Sequence, residues 1–319
     1  MGKLAQKIRE KFDWDVENLA PYTNEQSTEF IQDLIGSSVF LSKVRSLEGV
    51  KRRQAIKLLS GDVKLQAMEG CTTNPDGSIT FDDRVIETVR LYFGVELCNE
   101  DLNGHYTEML NAVGSNNQDG VMPLEAVLLA YLNKQLAKKA QRVGLIGDET
   151  SLDTELALFD GFITLLEADT DVVTANIGAN AFETAMNVVN AINEDVLDNE
   201  VEHEIICSRA TAQAILTYIY NDKDYNALTV DVERANGQLS FVLPTTATRV
   251  TSVNTLQGNS NMYLVCYPYM FLGSDVESDM DGIEVKYDDY NNKLKAEVSF
   301  RMGVQFVYPQ YFVRTVVAS

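Results

Sequence analysis

Apolar and polar positions alternate differently along this chain, and the changes of period divide it. Between Met122 and Gly161, Leu124, Val127, Leu128, Tyr131, Leu132, Leu136 and Val143 recur at helical spacing. That pattern predicts one buried stripe on a helix over residues 123–143. Pro123 suits the first helical position and Glu125 the first turn. Lys134, Lys138, Lys139 and Arg142 crowd the far end, where the helix dipole favours cations. A helix of about twenty residues spans ~30 Å and can serve as a spine for other elements. Gly144 and Gly147 are expected to stop it, since no Lys-Ser/Thr follows to make a phosphate loop.

Before the helix the period shortens to two. Val63, Leu65 and Ala67 alternate with Lys64 and Gln66, and Cys71-Thr-Thr-Asn74-Pro75-Asp76-Gly77 is a turn signal. Ile79 and Phe81 follow, then Val89, Leu91, Phe93, Val95 and Leu97 alternate with Arg90, Tyr92, Gly94 and Glu96. These residues predict two strands around a Pro-Asp-Gly tip, with one face that nothing nearby in sequence covers. A neighbouring subunit is the natural cover. Residues 1–30 have little periodicity and read as an arm, with a short helix expected at Lys3 to Lys11. Phe30, Ile31, Leu34, Ile35, Val39 and Phe40 predict a helix leading into a packed segment.

After the spine, Phe162 to Leu166 is a short apolar element. Asn180 with Glu183 has the spacing of an N-terminal cap, followed by a stripe of Phe182, Ala185, Met186, Val189, Ile192 and Val196. His203 to Cys207 reads as a buried strand, and Ser208 caps a helix with Ala212, Ile215, Leu216 and Ile219 inward. Strands are expected at Leu239–Leu243 and Met262–Tyr267. The tail is all strand: Ile283, Val285 and Tyr287, a turn at 288–292, then Leu294, Ala296, Val298 and Phe300, with Gly303 as a bulge or bend before Val304, Phe306 and Tyr308. The long helix is the expected partner of these strands.

The 319 residues suffice for two domains with real cores. The longest apolar run, Ala126 to Leu132, is far too short to cross a membrane, and the start has no signal-peptide core, so a soluble chain made in a cytoplasm is expected. Cys71, Cys98, Cys207 and Cys266 lack metal-ligand spacing and are expected to be reduced, mostly buried thiols. The net charge of −21 is uneven: residues 1–60 carry ten Lys+Arg and eight Asp+Glu, and the remainder carries −23. An acidic body repels nucleic acid. The one basic cluster is Lys51, Arg52 and Arg53 with Lys43, Arg45 and Lys57. It reads either as a solvated helix face or as a contact for packaged genome or a neighbour's acidic surface.

Catalytic and metal chemistry find little support. Glu277, Asp279, Asp281, Gly282 and Asp288 follow an EF-hand-like spacing, but Glu284 stands where an apolar residue is wanted and a strand follows instead of a helix, so a solvated acidic turn is expected. His203, flanked by Glu202 and Glu204, has no nucleophile pattern around it and is expected to be structural. Gly-x-Ser-x-Gly is absent. A glycosidase-type carboxylate pair is conceivable in so acidic a chain, yet nothing locates one.

Arm, extended two-stranded loop, spine helix, mixed α/β region and closing strands, in that order, resemble the major capsid protein of tailed bacteriophages with the Hong Kong 97 capsid fold. The residues that carry the resemblance are Cys71-x-x-Asn74-x-Asp76-Gly77 with Leu97-Cys98-x-x-Asp101-Leu102, Gly147-Asp148 with Phe159-Asp160-Gly161, and Phe300-Arg301-Met302-Gly303-Val304-Gln305-Phe306. The version it is most similar to is that of phages infecting gut Bacteroidetes. The resemblance implies an α+β fold with an N-terminal arm at 1–55, an extended loop at 56–98, a peripheral domain at 99–172 completed by closing strands from 281 to 319, and an axial domain at 173–280. It implies no enzyme and no cofactor. It implies self-assembly through hexamers and pentamers into a virion shell, in the host bacterial cytoplasm. Scaffold, portal and decoration proteins would be partners, the scaffold separate because no extra N-terminal scaffolding domain is visible. Packaged DNA would be touched only weakly. Lys64, Cys71, Asn74, Asp76, Arg84 and Arg90 are the expected assembly contacts of the loop, and Phe12, Trp14, Lys51, Arg52 and Arg53 those of the arm. Two other functions remain: an encapsulin-like compartment shell, and a soluble carboxylate-dependent hydrolase.

Overall fold

The structure is a computed structural model that describes residues 40–62, 78–98, 124–198, 201–221, 232–235, 238–244, 246, 248–275, 284–288 and 293–316. The described elements run β1 (Arg45–Glu48), β2 (Arg53–Asp62), β3 (Ser78–Glu87), β4 (Val89–Cys98), α1 (Leu124–Ile146), α2 (Phe162–Ala168), β5 (Val173–Asn176), α3 (Ala181–Asn190), α4 (Glu194–Asp198), β6 (His203–Cys207) and α5 (Arg209–Asn221). They continue with β7 (Val232–Ala235), β8 (Gln238–Val242), β9 (Arg249–Ser252), β10 (Tyr263–Cys266), β11 (Met270–Asp275), β12 (Glu284–Asp288), β13 (Lys293–Phe306) and β14 (Val313–Val316). The chain divides into two units. One holds Met1–Ser37, Arg90–Ala137 and Asp275–Arg301; the other holds Ser38–Val89, Lys138–Ser274 and Met302–Ser319. No helix among the described residues is long and apolar enough to cross a membrane.

In the first unit β12 and β13 form an antiparallel hairpin in which Asp288 faces Lys293 and Glu284 faces Glu297, and β4 also pairs with β13. Ala296, Val298 and Phe300 are buried at every second position, the period expected of a strand with one covered face.

The second unit is built on a seven-stranded mixed sheet in the order β5-β14-β10-β6-β9-β8-β7. Its centre is β6 and β10, where Ile205, Ile206, Leu264 and Val265 are fully buried. α3 and α5 pack on this sheet. α5 starts as its sequence predicts, with the Thr211 amide donating to Ser208 Oγ at 3.2 Å, and it buries Ala212, Ile215, Leu216 and Ile219. α3 is capped reciprocally: the Glu183 amide donates to Asn180 Oδ1 at 2.8 Å, and Glu183 Oε2 accepts from the Ala179 amide at 2.9 Å. Its buried stripe passes through Val188, while Val189 is only half-buried, because the helix ends at Asn190 and α4 begins a new turn around the buried Val196. β14, expected among the closing strands, instead lies between β5 and β10 in the large sheet.

α1 runs three residues beyond its expected end, so Lys138, Lys139 and Arg142 sit before the last turn, which holds no basic residue. Two of the three are held by carboxylates instead: Lys139 by Glu155 at 2.5 Å, and Arg142 by Asp153 at 3.2 Å. Leu132, Leu136 and Val143 are buried as expected, but Tyr131 is 59% exposed. Gly144 does not stop the helix. A Cβ there would meet Met302 Cε at 2.8 Å and Leu41 Cδ2 at 3.5 Å, so the closing strand packs onto the helix at this glycine. The stop is Gly147, whose carbonyl accepts from the Gly161 amide at 2.9 Å. A Cβ on Gly147 would lie 2.2 Å from the Phe159 carbonyl, and one on Gly161 would lie 2.7 Å from the Gly147 amide. The two glycine motifs that contribute to the resemblance are therefore one backbone interlock, which closes the loop of residues 148–160. β13 is likewise continuous through Gly303, with Met302, Val304 and Phe306 buried in phase, so no bulge forms there.

Candidate assembly surfaces

The sequence-predicted hairpin exists with other strands than expected. β2 pairs with β3 over ten residues, from Arg53↔Glu87 to Asp62↔Ser78. The Val89–Leu97 stretch belongs to β4, a separate strand that lies in the other unit from Arg90 on. Opposed residues share a face. On one face, Leu58 and Ile86 are buried with Val50, Phe271 and Val307 in a local core. The opposite face carries Leu59 (57% exposed), Ile79 (61%), Phe81 (80%) and Val85 (40%), with Leu59 directly opposite Phe81. The root of the hairpin is therefore anchored while its other face presents an apolar strip to solvent. Exposed apolar strips of this kind mark interaction sites.

Several polar contacts hold the hairpin root. Arg84 donates to Asp169 Oδ2 at 2.6 Å and stacks on Phe306, 4.8 Å from the ring centre. Arg53 pairs with Glu87 across the register. Thr88, buried, donates its hydroxyl to the Val50 carbonyl at 2.9 Å. Lys51 and Arg52 lie in the bend before β2, exposed, and no described carboxylate pairs with either. The basic cluster is therefore a bend leading into a strand, not a helix face. Two of its outlying members have local work: Lys43 pairs with Glu204 at 2.7 Å and lies over Tyr267, and Arg45 lies over Phe271.

The buried polar groups look structural. Glu204 is 5% exposed and satisfied by Lys43 and by the Tyr267 hydroxyl at 3.0 Å. Burial first, and that carboxylate second, push the Tyr267 phenol well above its ordinary pKa. His203 has Nδ1 2.7 Å from the Val201 carbonyl and Nε2 3.5 Å from Thr248 Oγ1, so both ring nitrogens are engaged. Cys207 and Cys266 are free, buried thiols whose pKa burial pushes up to about 12, which leaves them unreactive near neutrality. Among the described residues, no three or more His, Cys, Asp or Glu side chains gather as metal ligands would. Residues 276–283 of the EF-hand-like segment lie outside the described residues, and its last part, Glu284–Asp288, is strand.

Tyr263 supplies a test of this packing. Its hydroxyl donates to Glu167 Oε1 at 2.5 Å and accepts from Asn259 at 3.1 Å, and burial raises its pKa to about 12. The phenol is neutral in both folded and unfolded chains below pH 10, so its contribution is complete there. As pH climbs from 10 towards 12 the unfolded chain ionises first, and stability falls. Tyr263→Phe is expected to flatten the alkaline limb of stability by up to about 2 kcal/mol relative to the parent, read by urea denaturation between pH 9 and 11.5.

No protein-family model matches the sequence, and neither does a curated protein. Solved structures do match, nearly end to end. The chain is similar to a chain of the satellite phage P4 procapsid that includes the size determination (Sid) protein, with a TM-score of 0.63 at 12% identity over 98% of this chain and 99% of that one. It is similar to the capsid of the empty GTA particle, with a TM-score of 0.60 at 11% identity over 89% and 90%. Gordonia phage Cozz gives 0.55 at 11% identity over 88% and 87%. The chain has the Hong Kong 97-type capsid fold. At these identities the likeness lies in the course of the backbone rather than in shared side chains.

Within the Hong Kong 97-type fold the expected contact residues are distributed unevenly. Lys64, Cys71, Asn74 and Asp76 of the loop tip, and Phe12 and Trp14 of the arm, lie outside the described residues. Arg84 turns inward onto Asp169 and Phe306, and Arg90 donates to Ser299 Oγ at 3.3 Å. Lys51, Arg52 and Arg53 are exposed at the hairpin root. Sequence reasoning missed Leu59, Val85 and the pairing of Leu59 with Phe81. A signal was present in Leu58-Leu59, where adjacent apolar residues in a strand must face opposite sides.

Proposed function

We propose that this chain is the major capsid protein of a tailed bacteriophage, and that its copies self-assemble as hexamers and pentamers into the icosahedral shell around a double-stranded DNA genome. The observation that carries the reading is the capsid fold matched over almost the full length of the chain. The uncovered hairpin face supports it, because such a face needs a neighbour. The protein acts structurally in this reading and catalyses no reaction. The apolar strip of the hairpin lies on an adjacent subunit, the part of the arm that carries Phe12 and Trp14 reaches under others, and the region 173–280 meets its copies around the capsomer axis. Lys64, Cys71, Asn74 and Asp76 at the loop tip contact the neighbour. Each contact is modest, and repetition through the shell supplies the rest. A scaffold, a portal and decoration proteins are the expected partners, DNA contact is weak and non-specific given the net charge of −21, and the resemblance to capsid proteins of phages infecting gut Bacteroidetes points to a bacterial host. Assembly takes place in that host's cytoplasm.

Electron microscopy of the purified protein, alone and co-expressed with the neighbouring structural genes, tests the reading. Closed shells are expected, and a persistent monomer with no particles under either condition overturns it. A likeness to the virus-like particle from Pyrococcus furiosus, at a TM-score of 0.50 and 9% identity, keeps a protein compartment as the second reading. Shells that enclose a protein cargo, beside genes with no portal or terminase, would favour that one.

Charge decides a further result. Lys51 and Arg52 have no described ion-pair partner, while the chain beyond residue 60 carries −23. Lys51→Glu with Arg52→Glu is expected to leave the subunit's melting temperature within about 2 °C of the parent, as exposed charges contribute about 0–1 kcal/mol each. The same variant should fail to close shells at physiological salt, since the repulsion is repeated at every contact. Arg53 is best left in place, because Arg53→Glu would set like charges across from Glu87 and disturb the hairpin itself.

A further inference from the structure

The stretch that ends β13 grips the hairpin by both of its outer edges. In the β2–β3 ladder, Ser60 and Thr80 belong to one set of opposed pairs and Leu59 and Phe81 to the other. The ladder continues past the hairpin root through the Thr88 amide and the Arg52 carbonyl at 2.9 Å, which places Leu59 and Val85 in the pairs whose backbone groups turn outward. On the outer edge of β2, the Tyr308 hydroxyl donates to the Leu59 carbonyl at 3.1 Å and accepts from the Leu59 amide at 3.3 Å. On the outer edge of β3, Gln305 Nε2 donates to the Val85 carbonyl at 3.0 Å. Gln305 is itself fixed, its Oε1 accepting from the Phe306 amide at 3.0 Å.

The tyrosine is held in place at a cost. Tyr308 is the one non-glycine residue with positive φ among the described residues, at φ 56 and ψ 68. A bulky side chain in that region persists only where its surroundings over-determine it. Here the surroundings are two more rings: Tyr269 at 5.3 Å edge-on and Tyr311 at 5.6 Å. An outer edge left open would be a template for unwanted pairing, and one hydroxyl closes both polar groups of Leu59. Gln305 lies between the buried Val304 and Phe306 at the end of β13, and Tyr308 follows two residues later, so the grip is tied to the core of the same unit.

We propose that Tyr308 and Gln305 are positioning residues that clamp the hairpin at a set direction, and so fix where its apolar strip meets the next subunit. The clamp itself stands on the geometry above; its consequence for the shell rests on the capsid reading. Leu59 and Val85, the clamped residues, also belong to the exposed strip, so the clamp acts at the contact surface itself.

The Leu59 amide reports on the clamp directly, because the Tyr308 hydroxyl is its partner. In the unassembled subunit, Tyr308→Phe keeps the ring and removes both hydrogen bonds. Amide exchange at Leu59 should then quicken by about fivefold to tenfold, the worth of one net hydrogen bond, while the melting temperature moves little. Unchanged exchange at Leu59 overturns the clamp, whatever the protein assembles into. Tyr308→Phe with Gln305→Ala should then broaden the diameter distribution of particles by electron microscopy and raise the share of open or aberrant shells. Particles with the parent's distribution overturn the positioning role. If the parent forms no particles, the capsid reading fails and with it the role in the shell, while Leu59 exchange still decides the clamp.

Discussion

Leu59→Ser combined with Phe81→Ser should abolish shell formation and leave the isolated subunit folded. The two side chains face each other across the hairpin at 57% and 80% exposure, so the monomer has little invested in them. Surface substitutions of this kind usually move stability by about 0.5 kcal/mol or less. Fully burying a Leu or Phe against a neighbour contributes about 1.5–3 kcal/mol each. The pair therefore removes about 3–6 kcal/mol from each hairpin contact, roughly two to four orders of magnitude in its equilibrium constant. Serine is the better probe than aspartate, since two carboxylates set opposite one another would repel and unzip the strands. Sedimentation and electron microscopy measure assembly, and a circular dichroism melt measures the fold. Parent yields of closed shells would show that the strip is not an interface. A positive control lies one residue away: Leu58→Ser removes a buried side chain from the local core that also holds Ile86 and Val50, and should lower the melting temperature of the subunit itself.

The same pair of leucines shows what was legible in the sequence. Elements with a single buried face were readable residue by residue. α5 buries Ala212, Ile215, Leu216 and Ile219 as its period predicts, and β6 spans His203 to Cys207 as expected. The hairpin was not readable in that way, because it is apolar on both faces for different reasons. Leu58 and Ile86 serve the core while Leu59 and Phe81 face solvent, so no period of two survives along β2. The cleaner alternation of Val89–Leu97 drew the hairpin assignment to itself, although that stretch is β4. Tyr131 failed for a related cause: it falls on the helical stripe by spacing, yet it is 59% exposed.

Long-range backbone approaches left almost no mark on local patterns. Gly147 and Gly161 stood out only as parts of a resemblance, and their reason is a contact between segments fourteen residues apart in sequence. Tyr308 is an ordinary alternating residue in sequence, and its left-handed backbone and its grip on Leu59 arise only from the folded chain. Pairing between distant strands is set by tertiary context, which overrides single-residue propensity. The basic cluster illustrates the limit from the other side. Composition singled out Lys51, Arg52 and Arg53, but the bend and strand they occupy followed from the pairing of Arg53 with Glu87.

Gly303→Ala should be the most damaging single-methyl change on the closing strand. The glycine sits in mid-strand with Met302 and Val304 buried on either side, and it lies against the junction between β3 and β4. An added Cβ would come within 1.9 Å of the Glu87 carbonyl oxygen and 2.8 Å of its carbon, both backbone atoms. Neither can swing aside as a side chain would. The neighbouring Thr88 is fixed as well, with its amide on the Arg52 carbonyl at 2.9 Å and its hydroxyl on the Val50 carbonyl at 2.9 Å. Relief requires the strand and the junction to part, which loosens the buried residues around both. The expected loss is about 2–4 kcal/mol, well above the few tenths that alanine gains by reducing the freedom of the unfolded chain. Against a typical total stability of about 5–15 kcal/mol, that loss threatens folding at growth temperature. Gly94→Ala is the matched control: the three atoms nearest its Cβ would all belong to the side chain of the exposed Tyr92, which can move away. Urea denaturation of the two variants should separate them by at least about 2 kcal/mol. Equal midpoints would mean that the β13 crossing at Glu87 is not held as tightly as its geometry requires.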